Sequence, residues 1–173
     1  EVAGGLPMLR STAKTLPAFV AGDAVEMFAE YGILARRELH SRYEVLLEQC
    51  NMAIQVEAKL VLRIGRTQLY PAAIRYIGEM ADVANSVKDL GVEVDTEALA
   101  VLAAKGKSLR AALDKLEELM SHEAADASAE SQHLCKVVLP QMLVVREVAD
   151  GLEGIVADDL WPLPSYQEML FIK

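Results

Sequence analysis

The chain has 173 residues, 53% of them apolar and only 5% aromatic, with a formal net charge of −9. A chain of this length fits one domain and can bury a core without staples, and its aromatic-poor composition directs that core to Leu, Val, Ile, Ala and Met packed helix on helix, not to a β-sandwich. The acidic balance argues against a nucleic-acid partner, which needs a basic footprint, and no apolar run is long enough to cross a membrane or serve as a signal peptide.

Residues 1–22 read as irregular. Gly4, Gly5, Pro7 and Pro17 break any period, yet Leu6, Met8, Leu9, Leu16, Phe19 and Val20 are apolar. A solvated linker would not carry that load, so the segment is expected to dock on something. Asp23 is placed to cap a short helix running to Tyr31 and closed by Gly32, with Val25, Phe28 and Ala29 on one face.

From about Ala35 to Leu90 the period is helical almost throughout. Tyr43, Leu46, Leu47, Cys50 and Ile54 make one stripe; Leu69, Ala73, Tyr76, Met80, Val83, Val87 and Leu90 make a second in steps of four and three. That spacing is a heptad seam. Pro71 interrupts the run, and its ring pushes on the carbonyl of Thr67, so a kink or break is expected there. A straight helix of this length would span roughly 80 Å, more than a compact domain. Gly91 closes the run.

Asp95 is expected to cap the next helix, with Glu97 in its first turn. Its seam is Leu99, Leu102, Gly106, Leu109, Leu113, Leu116 and Met120. Gly106 costs about 1 kcal/mol of helix propensity relative to Ala, so its place on the seam suggests a close helix approach. Residues 121–131 are Ala-, Ser-, Asp- and Glu-rich and read as a turn or frayed connection. A last long helix follows on Val138, Met142, Val145, Ala149, Leu152 and Val156, with Pro140 in its first turns and Gly151 and Gly154 weakening its end. Pro164 is suited to start a short terminal helix, and Trp161 is expected to anchor the tail. The predicted fold is all-α: an antiparallel bundle of three long helices, one kinked or broken at a proline, plus short N- and C-terminal helices. Residues 23–173 form the bundle and residues 1–22 the docked segment.

Chemistry is sparse. Cys50 and Cys135 lie 85 positions apart without a C-x-x-C, on apolar stripes, and read as buried reduced thiols in a cytoplasmic chain. Glu130 and His133 match the Glu-x-x-His unit of di-iron bundles, but a working site needs a second unit and two more carboxylates. His40, Glu44 and Glu48 share a helix face and read as an ordinary surface pairing. Lys59, Arg63 and Arg66 line another, as a solvated or salt-bridged face or a contact for acidic groups. Residues 1–75 hold nine Lys and Arg against eight Asp and Glu, and the remainder hold eight against eighteen, so acid is concentrated in the second half. Neither a P-loop nor a nucleophile elbow occurs. No catalytic, cofactor-binding or metal-ligating residue is assigned.

The tail Asp159-Leu160-Trp161-Pro162-Leu163-Pro164, followed by Tyr166, Glu168, Leu170 and Phe171, resembles the C-terminal end of type III glutamine synthetases. So does Glu38-Leu39-His40-Ser41-Arg42-Tyr43-Glu44. Gly5-Leu6-Pro7 with Leu9, Arg10 and Thr12 resembles the segment just after the family's catalytic core, and Pro71-Ala72 with Tyr76 fits a helix between these blocks. Gln55 stands where the family often has Asn. The resemblance implies a non-catalytic C-terminal helical domain with a structural, assembly or regulatory role, and residues 1–22 as its junction with a catalytic core outside this chain. The absence of Met at Glu1 fits that expectation. The parent enzyme, a glutamate–ammonia ligase, is implied to use ATP and a divalent metal (Mg or Mn) and to form a homo-oligomer, with its metal and nucleotide residues upstream. The isolated chain is expected to be inactive. The alternative is a stand-alone helical oligomerisation or adaptor module.

Overall fold

A computed structural model describes residues 2–3, 6–7, 11–88, 91, 96–164 and 166–170. The fold is an all-α bundle. Near the N-terminus Val2–Ala3 (β1) and Leu6–Pro7 (β2) pair antiparallel, Val2 opposite Pro7 and Ala3 opposite Leu6. Helix α1 then runs Thr12–Phe19 and α2 runs Gly22–Glu30. The N-terminal segment is therefore helical over α1, where an irregular course was expected. Pro17 falls in the last turn of α1, where it removes a single backbone bond. Phe19 meets Phe28 edge to face at 5.9 Å. Asp23, expected as the cap, lies inside the first turn of α2, two positions past the N-cap Ala21, where its carboxylate still suits the helix dipole. Gly32, at φ +63°, ends the helix: Gly32 N–H bonds Ala29 O and Ile33 N–H bonds Phe28 O, the paired bonds of a Schellman motif.

Helix α3 spans Arg36–Ile64, a π-helical turn spans Gly65–Leu69 and α4 spans Tyr70–Lys88, a joined helix of 53 residues. Its start is fixed by Glu38, whose Oε2 accepts from Ala35 N–H at 2.7 Å, the backward half of a capping box. The break expected at Pro71 is absorbed by the π turn two residues ahead of it. Tyr70 N–H reaches five residues back to Gly65 O, and the widened turn relieves the Pro71 ring of its clash with the Thr67 carbonyl. Along α3, Leu47 and Ile54 are buried and Tyr43 and Cys50 half-buried, while Leu46 is exposed. Gly91 takes φ +75° beyond the helix end.

Helix α5 spans Glu97–Met120. The Asp95 cap and the seam position Leu90 lie outside the described residues. Helix α6 (Ala127–His133), a second π turn (Leu134–Val138) and α7 (Leu139–Glu153) form a joined helix of 27 residues. This helix starts earlier than its composition suggested. Asp126 caps it, Oδ1 accepting from Ala129 N–H at 2.7 Å, and good helix formers sustain the first turns without large apolar residues. Pro140 is thus mid-helix, and it too stands two residues beyond a π turn. Asp126→Ala should lower unfolding stability by about 1 kcal/mol; an unchanged denaturation midpoint would show that the cap contributes nothing. A short terminal helix, α8, spans Tyr166–Leu170.

The chain divides into two compact units, residues 1–58 with 120–140 and residues 59–119 with 141–173. In the first, Val25, Leu39, Leu47, Ile54, Leu134 and Val138 form the core, and α1 packs on α6. In the second, Leu69, Leu102, Leu109, Leu113, Leu116, Val145 and Leu152 do so. Each buried Leu contributes about 1.5–3 kcal/mol. Within this second unit α5 runs antiparallel to its neighbours. Gly65 lies under Leu113 and Gly106 under Ile77, while Gln141 Nε2 donates to Ala112 O at 3.0 Å and Gly151 meets Lys105.

Candidate functional site

Glu130 and His133 sit at i and i+3 on α6, inside a helix and not in the frayed connection expected there. Their side chains are engaged in structure. Gln55 Nε2 donates to Glu130 Oε1, and the His133 ring stacks on His122, centroids 4.3 Å apart and 31° between planes. Between α3 and α6, the buried Asn51 donates from Nδ2 to Ala127 O at 2.8 Å. Asn51 and Gln55 therefore tie α3 to the first turns of α6, a role their place beside the apolar stripe signals only by the 51, 54, 55, 58 periodicity. Among the described residues, no group of three or more His, Cys, Asp or Glu is placed to hold a metal ion. His40 is half-buried on α3, and Glu44 and Glu48 are exposed.

Cys50 and Cys135 are free and half-buried, less enclosed than the sequence suggested. Burial pushes the Cys135 thiol up, and neighbouring Cys50 adds to it, while the Ala13 backbone and the nearby Ser131 side chain act the other way. A thiol pushed in that direction is a poorer nucleophile at neutral pH. The contact with Ala13 also engages the exposed amide end of α1.

Of the basic face, Arg66 finds acidic groups on α5. Its guanidinium bonds Glu117 at 2.6 and 2.8 Å and Asp114 at 3.0 Å. Lys59 and Arg63 are exposed. The hydrogen bond to Glu117 has the largest effect and raises the Arg66 pKa; desolvation opposes it, and Asp114 adds a smaller rise. A raised folded value means stability present below the unfolded pKa and lost only as pH climbs past the arginine range, so the contribution is constant at working pH. All three groups are well exposed. Arg66→Ala should therefore cost no more than about 1 kcal/mol at low salt and less still in about 1 M salt. A salt-independent loss would point to packing of the stem instead.

Concave regions are present among the described residues of the second unit. One, of about 280 Å³, lies between α4 and α5 at Tyr76, Met80, Val83 and Leu99. Another, of about 370 Å³, is walled by Ile64, Leu69, Val145 and Ala149 and by Leu163 and Met169 of the tail. Both are apolar, with Glu79 at the edge of the first and Arg146, Asp150 and Glu153 at the second. Arg146 and Asp150 pair with each other at 3.6 Å. Neither presents a nucleophile with an orienting base. No helix among the described residues is long and apolar enough to cross a membrane.

The profile of the glutamine synthetase C-terminal domain matches residues 3–88. The chain is 30% identical over 179 residues to the type-3 glutamine synthetase of Dictyostelium discoideum, covering 98% of this chain and 24% of that protein. It is 27% identical over 173 residues to a glutamine synthetase of Butyrivibrio fibrisolvens, covering 96% and 25%. It is 25% identical over 154 residues to that of Bacteroides fragilis, covering 82% and 21%. The chain thus spans about a quarter of the length of the curated relatives it matches. Joined to the helical architecture, these matches place the chain in the type III glutamine synthetase family, as its C-terminal helical domain.

Proposed function

We propose that this chain is a non-catalytic domain of a cytoplasmic enzyme that ligates ammonia to glutamate at the expense of ATP, and that it serves the shape, assembly or regulation of that enzyme. The observation that carries the reading is alignment over nearly the whole chain with about a quarter of each relative. The engagement of its chemistry-bearing side chains supports it: Glu130 with Gln55, His133 with His122, Arg66 with Glu117 and Asp114. On this reading the divalent metal and nucleotide that the family implies are held by the rest of the longer polypeptide, in a homo-oligomeric enzyme.

The test is glutamine formation from glutamate, ammonia and ATP by the full reading frame, by the same frame lacking these 173 residues, and by the 173-residue chain alone. The full frame should turn over and the chain alone should not. Deletion should change the number of subunits in the assembly or the rate. Turnover by the isolated chain, or a deletion that alters neither subunit number nor rate, would refute the reading. A full frame with no ligase activity would favour the oligomerisation or adaptor module.

A further inference from the structure

Helix α3 is apolar on two opposite faces. Its buried face carries Leu39, Leu47, Asn51, Ile54 and Ala58. At 100° per residue, Val45, Met52 and Val56 fall together on the far side, and they are 49%, 64% and 56% exposed. A helix with polar groups on its outer face suits solvent; one that is apolar all round is a buried helix. Helix α5 shows the ordinary pattern, its exposed positions from residue 107 onward being Lys107, Arg110, Asp114, Lys115, Glu117 and Glu118 with small residues between. Exposed apolar side chains occur on other helices too, at Met27, Ile74, Val83, Val101 and Leu143, but on α3 three of them share one side of a single helix.

We infer that this face of α3, at Val45, Met52 and Val56, is where the remainder of the longer polypeptide packs through an apolar segment. The inference rests on the reading of the chain as one domain of such a polypeptide. Two observations select that occupant. The relatives are about four times as long as the stretch aligned here, so most of the related polypeptide lies outside it. The stripe is also narrow. A stable interface between separate chains takes about 800 Å² and some 20 residues per partner, far more than three half-exposed side chains supply. A tethered partner needs less, because the tether holds it at roughly millimolar effective concentration.

Methionine oxidation reads this cover directly. The full reading frame is treated with dilute hydrogen peroxide, and Met52 sulfoxide is followed by peptide mass spectrometry against the same protein in urea. Met52 should oxidise at least about tenfold more slowly in the native protein. Val56→Lys, which places a charge beside it, should restore at least half of the rate seen in urea. A native rate within about twofold of the denatured one overturns the inference. So does protection that disappears on dilution together with a fall in assembled mass, since a second copy would then be the cover. Glutamine formation by the same sample separates the two ideas. An active enzyme with unprotected Met52 defeats this inference alone, and an inactive protein with protected Met52 defeats the ligase reading alone.

Discussion

Gly65→Val should destabilise the chain by about 3 kcal/mol, and Gly106→Ala should stabilise it by about 1 kcal/mol. Both glycines are buried in the second unit, and the difference between them is space. A Cβ on Gly65 would stand 2.5 Å from Leu113 Cδ2, 3.0 Å from Cδ1 and 3.3 Å from Cγ. Leu113 is 1% exposed, so it cannot withdraw into solvent. A Cβ on Gly106 would meet only Ile77 Cδ1, at 3.8 Å, an ordinary contact. Even Gly65→Ala should lose stability, because overpacking of about 1–3 kcal/mol exceeds the helix propensity of about 1 kcal/mol that Ala adds. Leu113→Ala alone should cost about 2–5 kcal/mol. Combined with Gly65→Ala it should cost less than the sum by more than about 0.5 kcal/mol, since the new methyl enters the space that Leu113 vacates. Urea denaturation at constant slope measures all five variants. Additive losses, or a stable Gly65→Val, would contradict the close approach.

Much of this fold was legible because the seams are regular. Leu102, Leu109, Leu113 and Leu116 on α5 and Val145, Ala149 and Leu152 on α7 are the positions that heptad spacing selects, and all are buried. What escaped was local. Periodicity identified Gly106 as a close contact because it sits on the seam, but the contact falls on Gly65, which lies in a π turn and out of the heptad frame. Pro71 was read as a kink or break and Pro140 as a first-turn residue; both lie inside joined helices, each two residues beyond a π turn that takes up the misfit. Pro17 concealed α1, and the short side chains of residues 124–129 concealed the start of α6. In both places helix forms with little apolar pattern to reveal it, α1 packed on α6 and the start of α6 held by the Asp126 cap.

The candidate site was legible in a different way. Spacing along one helix finds pairs such as Glu130 and His133, but the partners that decide their role come from distant sequence. Gln55 lies 75 positions from Glu130, and Glu117 lies 51 from Arg66. The acidic excess of the second half did point to the groups that Arg66 meets. The apolar outer face of α3 was present in the sequence at 45, 52 and 56, overlaid on the core stripe, and only burial separates the two.

Removal of the Trp161 side chain should cost about 2–3 kcal/mol and lower the melting temperature by roughly 5–10 °C. Trp161 is only partly exposed, and its backbone is fixed by bonds to Ala157 O at 3.1 Å and Asp158 O at 3.3 Å. Beyond it, Leu163, Pro164 and Met169 border the same cavity as Met142, Val145 and Ala149 of α7, so the tail lies against α7. At about 25 cal/mol per Å², roughly 100 Å² of ring removed from water accounts for the loss. Trp161→Phe should lose less than about 1 kcal/mol, because it keeps most of the ring and gives up an Nε1 donor that finds no acceptor among the described residues. Leu170→Ala should stay within about 0.5 kcal/mol, since Leu170 is 76% exposed. Truncation after Asp158 should lower stability at least as much as Trp161→Ala. If the truncated chain melts at the parent temperature, the tail is not held by its tryptophan. If Leu170→Ala proves as damaging as Trp161→Ala, the anchor lies further along the tail.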